Sequence, residues 1–247
     1  GVNTLELDLQ ISQDGKVVVS HDAYFHSRYA TRPDGSEVKS EDPKEYLYTM
    51  PYSTIAKYDV GKRPSPDWPG KEQSPAIKPL ATELIDSVEN YVKANGLDPM
   101  RYNIEIKCRK GKDEGKNWPE YHEFVDKCME LLLSKNLGDR LVVQCIDPRA
   151  LNYMHEKYPQ VKLSYLIRKM DTDWDTYMGR LNFTPDWLSP EFVIVDQTMV
   201  DNCRKAGIRL VPWTVDNEAD IRRILDLHVE AIITNYPDRV LKITRGY

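Results

Sequence analysis

The chain is short of most features that would assign it to a common class at once. Its four cysteines, Cys108, Cys128, Cys145 and Cys203, stand far apart with no Cys-x-x-Cys pair. That excludes a zinc ribbon and a disulfide scaffold and leaves each cysteine to pack as a small apolar side chain. No apolar run approaches the roughly 20 residues of a membrane-crossing helix. No Gly-x-Gly-x-x-Gly follows a strand-like run, which argues against a dinucleotide-binding sheet. Basic and acidic residues number 34 and 39, for a net charge of −5, and neither sign gathers in a long block. A nucleic-acid surface is therefore not expected, although a local basic patch for a phosphate remains possible. The opening residues do not read as a leader segment, and Gly1-Val2-Asn3 lies only a few residues before a strand that reads as core. The expectation is that further residues lie upstream, and localisation is unreadable.

What the chain does have is acid where strands usually carry aliphatic residues. Leu5-Glu6-Leu7-Asp8-Leu9 and Asn103-Ile104-Glu105-Ile106-Lys107 both alternate strictly, so their charged side chains share one face and their aliphatic ones the other. Such alternation most often marks the solvated face of an antiparallel sheet. The strands further along read as parallel and covered on both sides, and a covered strand has no solvated face for charge. Three carboxylates, Glu6, Asp8 and Glu105, converging from two strands make a hard, oxygen-rich site of the kind that holds Mg²⁺ or Ca²⁺. His21-Asp22 follows the first run closely, so metal-assisted chemistry on an anion is the reading.

Strand-like and helix-like segments alternate along the chain. Strands are expected over Thr4 to Ile11, Tyr102 to Lys107, Leu141 to Cys145, Lys162 to Leu166, Phe192 to Val195, Arg209 to Val215 and Ala231 to Thr234. Helices are expected over Leu80 to Asn95, Pro119 to Lys135, Pro148 to Tyr158, Asp173 to Leu181, Thr198 to Ala206 and Glu218 to Leu227, with a last one from Pro237. Gly96 and Gly207 sit where left-handed residues end helices, while Asp147-Pro148 and Thr198 read as helix starts. The class is α/β with crossover helices. Seven strands fit an open doubly wound sheet. They also fit a TIM-type (β/α)8 barrel whose first strand and helix precede Gly1, in which case residues 1–247 form one barrel domain. Glu6, Asp8, Glu105 and Lys107 fall toward the C-terminal ends of their strands, where barrels place catalysis. From about residue 17 to 79 the rhythm breaks into a stretch rich in Pro, Tyr and charge, with Tyr24, Phe25, Tyr29, Tyr46, Tyr48, Tyr52, Tyr58, Pro64, Pro66 and Pro69. Its length and aromatic content argue for a small folded insertion over the C-terminal mouth rather than a disordered excursion.

The run Gly1 to Leu9 resembles the second strand of glycerophosphodiester phosphodiesterases. Asp14-Gly15, Val17-Val18-Val19-Ser20-His21-Asp22, Asn103-Ile104-Glu105-Ile106-Lys107, Pro212-Trp213-Thr214-Val215 and Ile232-Ile233-Thr234-Asn235-Tyr236-Pro237 then follow in that family's order. The resemblance implies a β/α barrel with an insertion after its second strand. It also implies hydrolysis of a glycerophosphodiester to glycerol 3-phosphate and an alcohol, with one divalent cation, Mg²⁺ or Ca²⁺. Glu6, Asp8 and Glu105 fall on the family's metal ligands, and His21 on one of two catalytic histidines, suited to proton transfer near neutral pH. Lys107 would reach a phosphate oxygen as a point charge, against the plainer reading of a salt bridge to one of the acids. Trp213 would wall the glycerol, against ordinary packing.

Departures from the family pattern accompany these matches. Its His-Arg-Gly strand and Pro-Glu-Asn turn, which supply the other catalytic histidine and a phosphate-binding arginine, are absent from this sequence. Gln144-Cys145-Ile146-Asp147 stands for Gln-Ser-Phe-Asp, and His228-Val229-Glu230-Ala231 for Gly-Val-Asp-Gly. An open barrel would leave bare, buried strand edges, so the missing strand is expected upstream. The readings carried forward are a metal-dependent phosphodiesterase acting on a small-molecule substrate, a non-catalytic or degenerate diester-binding relative, and a lyase on the same barrel that forms a cyclic phosphate.

Overall fold

The structure, a computed structural model, describes residues 1–245 apart from Asp67 and Pro69. Pro69 of the expected insertion, and the Gly246-Tyr247 end of the expected last helix, thus lie outside the described residues. The elements in chain order are β1 (Thr4–Ile11), β2 (Val17–Val19), α1 (Tyr52–Ile55), α2 (Ala81–Ala94), β3 (Arg101–Ile106), α3 (Tyr121–Ser134), β4 (Leu141–Cys145), α4 (Pro148–Lys157), β5 (Lys162–Ile167), α5 (Trp174–Met178), β6 (Trp187–Pro190), α6 (Gln197–Ala206), β7 (Arg209–Leu210), α7 (Glu218–Asp226) and α8 (Pro237–Arg245). Short 3₁₀ turns cover Leu47–Thr49, Gly138–Arg140 and Phe192–Ile194. The strands form one sheet in the order β2-β1-β3-β4-β5-β6-β7, and the ladder is not closed among the described residues. β1 and β2 pair antiparallel, whereas β3 through β7 pair parallel, each joined to the next by a crossover that contains a helix. This is the α/β class that the alternating pattern demands.

The chain divides into two compact units whose boundary falls inside β1 and β3, so both strands are shared. The first unit contains Gly1–Glu6, Met100–Glu105 and the chain from Leu137 onward. In β3 every residue after Arg101 is buried, as expected of a parallel strand covered on both faces. One face of this sheet is apolar, with Tyr102, Ile104, Val143, Cys145, Leu163, Tyr165 and Leu188 all buried. The crossover helices supply buried rows at helical spacing, namely Ala150, Leu151 and Met154 on α4, Met199, Val200 and Cys203 on α6, and Ile221 and Ile224 on α7. The other face is polar, with Asn103, Glu105, Gln144, Ser164 and Ser189 buried along it.

The second unit contains Leu7–Pro99 and Ile106–Asn136. Its helix α3 buries Phe124, Val125, Cys128, Met129 and Leu132. The Pro- and Tyr-rich stretch is folded around a small core of its own: Val18, Phe25, Ala30, Val38, Leu47, Ile55 and Tyr58, with the Phe25 and Tyr58 rings stacked at 3.8 Å. Its two ends are tied together, since Val19 N–H donates to the Pro79 carbonyl at 2.9 Å and Val18 bridges to Leu80.

Several boundaries differ from expectation. Phe192 to Val195 is not a strand but a 3₁₀ turn, and the strand lies just before it at Trp187–Pro190. Proline at the end and a serine within made the true strand inconspicuous, while the β-branched run drew the strand assignment. The ladder at Arg209 to Val215 persists for only Arg209–Leu210, and Ala231 to Thr234 forms no regular strand. Single bonds replace the ladder there, with Val215 N–H donating to Ile233 O and Ile233 N–H to Pro212 O, both at 2.9 Å. All four cysteines are free and buried, as their spacing indicates. Gly96 and Gly207 adopt φ of +61° and +72° after their helices, the left-handed conformation that glycine enters without a Cβ penalty.

Helix α6 begins one residue before the expected Thr198, because Asp196 is its cap and accepts from Met199 N–H at 2.8 Å. Asp196→Ala should therefore cost about 1 kcal/mol in urea denaturation. Thr198→Ala, at an exposed position, should stay within about 0.5 kcal/mol of the wild type.

Candidate active site

β1 places Glu6 and Asp8 on one face, because side chains two apart on a strand point the same way, and turns Leu7 and Leu9 to the buried opposite face. β3 repeats the arrangement with Asn103 and Glu105. Glu105 is only 8% exposed. On these two shared strands Glu6, Asp8 and Glu105 each offer a carboxylate oxygen, and the three atoms lie within 4.8 Å of one another. Oxygens that ligate Mg²⁺ or Ca²⁺ lie about 2.0–2.6 Å from the ion, so ligands around one ion stand no farther apart than roughly twice that. The spacing and the all-oxygen donor set both fit a hard divalent cation.

Two of the acids, Glu6 and Asp8, have polar support within their own units. Gln144, 1% exposed, donates its Nε2 to Glu6 Oε1 at 2.7 Å and accepts at Oε1 from Asn103 Nδ2 at 3.0 Å and from Ser189 Oγ at 3.4 Å. The parallel register that sets Glu105 opposite Gln144 and Gln144 opposite Ser164 produces this line of polar groups. Trp213 joins it at the far end, its indole N–H donating to the Ser189 carbonyl at 2.8 Å. In the second unit Lys107 Nζ lies 3.4 Å from Asp8 Oδ1, both side chains being largely buried. The salt bridge weighed for Lys107 is thus formed.

His21 follows directly from the β1–β2 hairpin. Ser20 N–H donates to the Asp8 carbonyl at 2.9 Å, extending the pairing by one residue and placing His21 immediately after. The imidazole is 71% exposed and its Nδ1 faces Asp22 Oδ1 at 3.1 Å. Asp22 also accepts from the Tyr29 hydroxyl at 3.3 Å. Burial alone would raise the Asp22 carboxyl, but the hydrogen bond and charge of His21, with the charges of Lys78 and His26, outweigh it and hold the group at about 2. Burial and the neighbouring Asp22 charge push the Tyr29 hydroxyl well above its ordinary range.

Two contributors escaped the sequence reading. Gln144 had one available signal, a polar residue inside a run destined to be covered. Lys78, 6% exposed, donates Nζ to Ser20 Oγ at 2.6 Å and had none, since it sits between prolines in a stretch with no periodicity.

A parallel α/β sheet with an all-oxygen acid group on its strands is the arrangement of an α/β enzyme able to hold a hard divalent cation. The profile of the Glycerophosphoryl diester phosphodiesterase family matches residues 1–239, and the chain belongs to that family. It is 25% identical over 251 residues to the glycerophosphodiester phosphodiesterase of Bacillus subtilis (strain 168), covering 98% of this chain and 77% of that protein. Among solved structures, one from Silicibacter pomeroyi, provisionally named a glycerophosphoryl diester phosphodiesterase, superposes with a TM-score of 0.86 at 22% identity, covering 100% of this chain and 84% of that one. An Oleispira antarctica phosphodiesterase in complex with the product sn-glycerol-3-phosphate superposes with a TM-score of 0.71 at 19% identity, covering 98% and 85%. The fold is that of this barrel family, and the enzyme class is phosphoric diester hydrolase acting on glycerophosphodiesters. No helix among the described residues is long and apolar enough to cross a membrane.

Folding lowers the Asp22 carboxyl from 3.8 to about 2. Its ionised form therefore stabilises the fold above the unfolded value, and that contribution is lost as pH falls through the folded one. In urea denaturation the stability difference between wild type and Asp22→Asn should be about 2 kcal/mol near neutral pH and shrink steadily between about pH 4 and pH 2. A difference that stays constant with pH would contradict the assignment.

Proposed function

We propose that this protein hydrolyses glycerophosphodiesters to sn-glycerol 3-phosphate and a free alcohol in a reaction that requires one divalent cation, Mg²⁺ or Ca²⁺. The observation that carries the reading is the group of three carboxylate oxygens on β1 and β3, within 4.8 Å of one another. Glu6, Asp8 and Glu105 would hold the cation, which supplies positive charge to oppose the charge developing on the phosphoryl oxygens.

The chain's own residues account for the rest. Gln144 fixes Glu6 through a 2.7 Å hydrogen bond, so this carboxylate is oriented before any ligand arrives. Lys107, 3.4 Å from Asp8, presents a compact ammonium to a phosphoryl oxygen and also offsets the negative charge of the acids. Trp213, anchored through its indole N–H on Ser189, offers a rigid apolar face to the glycerol carbons. His21 donates a proton. With Nδ1 engaged by Asp22, Nε2 is the nitrogen that faces a substrate, and protonated there it neutralises the departing alkoxide. In the overall change a water oxygen bonds to phosphorus, the phosphorus–oxygen bond to the alcohol breaks, the alcohol leaves with the proton from His21, and of the water's two protons one restores His21 by way of solvent while the other stays on the monoester or passes to solvent.

The Oleispira antarctica phosphodiesterase solved with sn-glycerol-3-phosphate supports the choice of product. The insertion at residues 17–79 of a single barrel domain, as the sequence divides it, carries His21 and is the natural source of contacts to the alcohol.

The test follows release of sn-glycerol 3-phosphate from glycerophosphocholine and glycerophosphoethanolamine by the full-length protein. Activity should fall to background with a chelator and return with Mg²⁺ or Ca²⁺; turnover that ignores the chelator would remove the cation from the mechanism. Glu105→Ala should lower kcat/KM by about 100-fold or more, and His21→Ala should lower kcat by about 100- to 10,000-fold. Phosphorus NMR of the product distinguishes hydrolysis from formation of a cyclic phosphate.

A further inference from the structure

Lys78 is a buried charge of the second unit. Its side chain is 6% exposed, and Nζ meets a hydroxyl and two aromatic rings: Ser20 Oγ at 2.6 Å, the Phe25 ring at 5.5 Å and the Tyr29 ring at 5.8 Å. Its backbone is fixed as well, since the Tyr52 hydroxyl donates to the Lys78 carbonyl at 3.2 Å and the following residue, Pro79, accepts from Val19. The ammonium therefore has one place to be, beneath the turn that carries Ser20, His21 and Asp22.

We propose that Lys78 is a positioning residue, whose buried ammonium fixes the Ser20–Asp22 turn and, through Asp22, the orientation of the His21 imidazole. The inference rests on the phosphodiesterase reading of the site. Ser20 accepts the Lys78 hydrogen bond at Oγ, which directs its own hydroxyl proton to the Asp22 carbonyl at 2.6 Å. The Asp22 carboxylate, in the field of the same ammonium, faces His21 Nδ1 at 3.1 Å and accepts from the Tyr29 hydroxyl. Lys78 touches none of the reacting atoms. Its effect reaches them in two steps, by holding the turn and by favouring the ionised Asp22 that orients His21.

This role has a stability signature opposite to that of a structural lysine. Burial disfavours the ammonium and brings its pKa down to about 8, against the opposing attraction of Asp22. A charge with a hydroxyl and ring faces as near neighbours costs the fold more than an apolar side chain of the same length would. Lys78→Met keeps the length and removes that cost, whereas a residue retained for stability would destabilise on replacement.

The experiment compares full-length wild type, Lys78→Met and Lys78→Arg by steady-state kinetics on glycerophosphocholine, by thermal melting and by nitrogen-15 NMR of the His21 ring. Lys78→Met should lose about 10- to 100-fold in kcat, with KM within about twofold and a melting temperature equal to or above wild type. Lys78→Arg, which keeps the charge, should recover part of the lost kcat. A kcat for Lys78→Met within about twofold of wild type, or a kcat loss accompanied by a lower melting temperature, overturns the proposal. Should the wild type turn over no diester, the functional reading fails, and the ring signals then decide: His21 resonances shifted in Lys78→Met support the positioning role, and unshifted ones overturn it.

Discussion

Like charges crowded onto β1 and β3 set the terms for everything around them. Carboxylates whose oxygens lie within 4.8 Å of one another repel when ionised, and three such groups make three such pairs, least screened by solvent at the buried Glu105. A fold stable by a few kcal/mol tolerates that only if the neighbourhood returns most of it. Lys107 beside Asp8 and the Gln144 amide on Glu6 return part of it in the protein alone. The remainder would favour the cation proposed for the site: the tighter the acids are held together, the more favourable the arrival of a double positive charge would be.

The architecture supplies the means of holding them. Parallel strands covered on both faces have rigid, fully paired backbones, so side chains two residues apart on one strand are fixed relative to each other. The polar face that runs from Glu105 through Gln144 to Ser164 and Ser189 uses that rigidity, because each neighbour in the line is set by register rather than by a loop. His21 is placed differently. It stands at the end of a short antiparallel hairpin, exposed and held by its neighbour Asp22, a placement compatible with the proton transfer proposed for it.

How much of this the sequence disclosed depends on whether the signal was local. The acids of β1 and β3 were legible because alternation is written in consecutive residues, and because the same chain showed its strands to be covered. Helices with strong apolar rows, such as α3 and α6, were legible for the same reason. The strand at Trp187–Pro190 was not, since its two strand neighbours define it and its own composition does not, whereas Phe192-Val193-Ile194-Val195 has strand composition and lacks the neighbours. The Ala231 to Thr234 segment fell between these cases, with single hydrogen bonds where a ladder was expected. Lys78 was beyond reach altogether: nothing in its flanking residues signals that the chain returns to pair with Val18 and Val19 and takes an ammonium into the interior.

That return decides how a change of length within the stretch is absorbed. With Val19 clasped to Pro79 and Val18 to Leu80, the long excursion between them leaves and re-enters at adjacent points, and its Phe25–Tyr58 core closes it internally. Residues gained or lost within the excursion lengthen a closed circuit without moving its two anchor points, and a longer circuit adds little closure entropy. Changes of length within the excursion thus leave His21, two residues beyond Val19, in place beside the clasp.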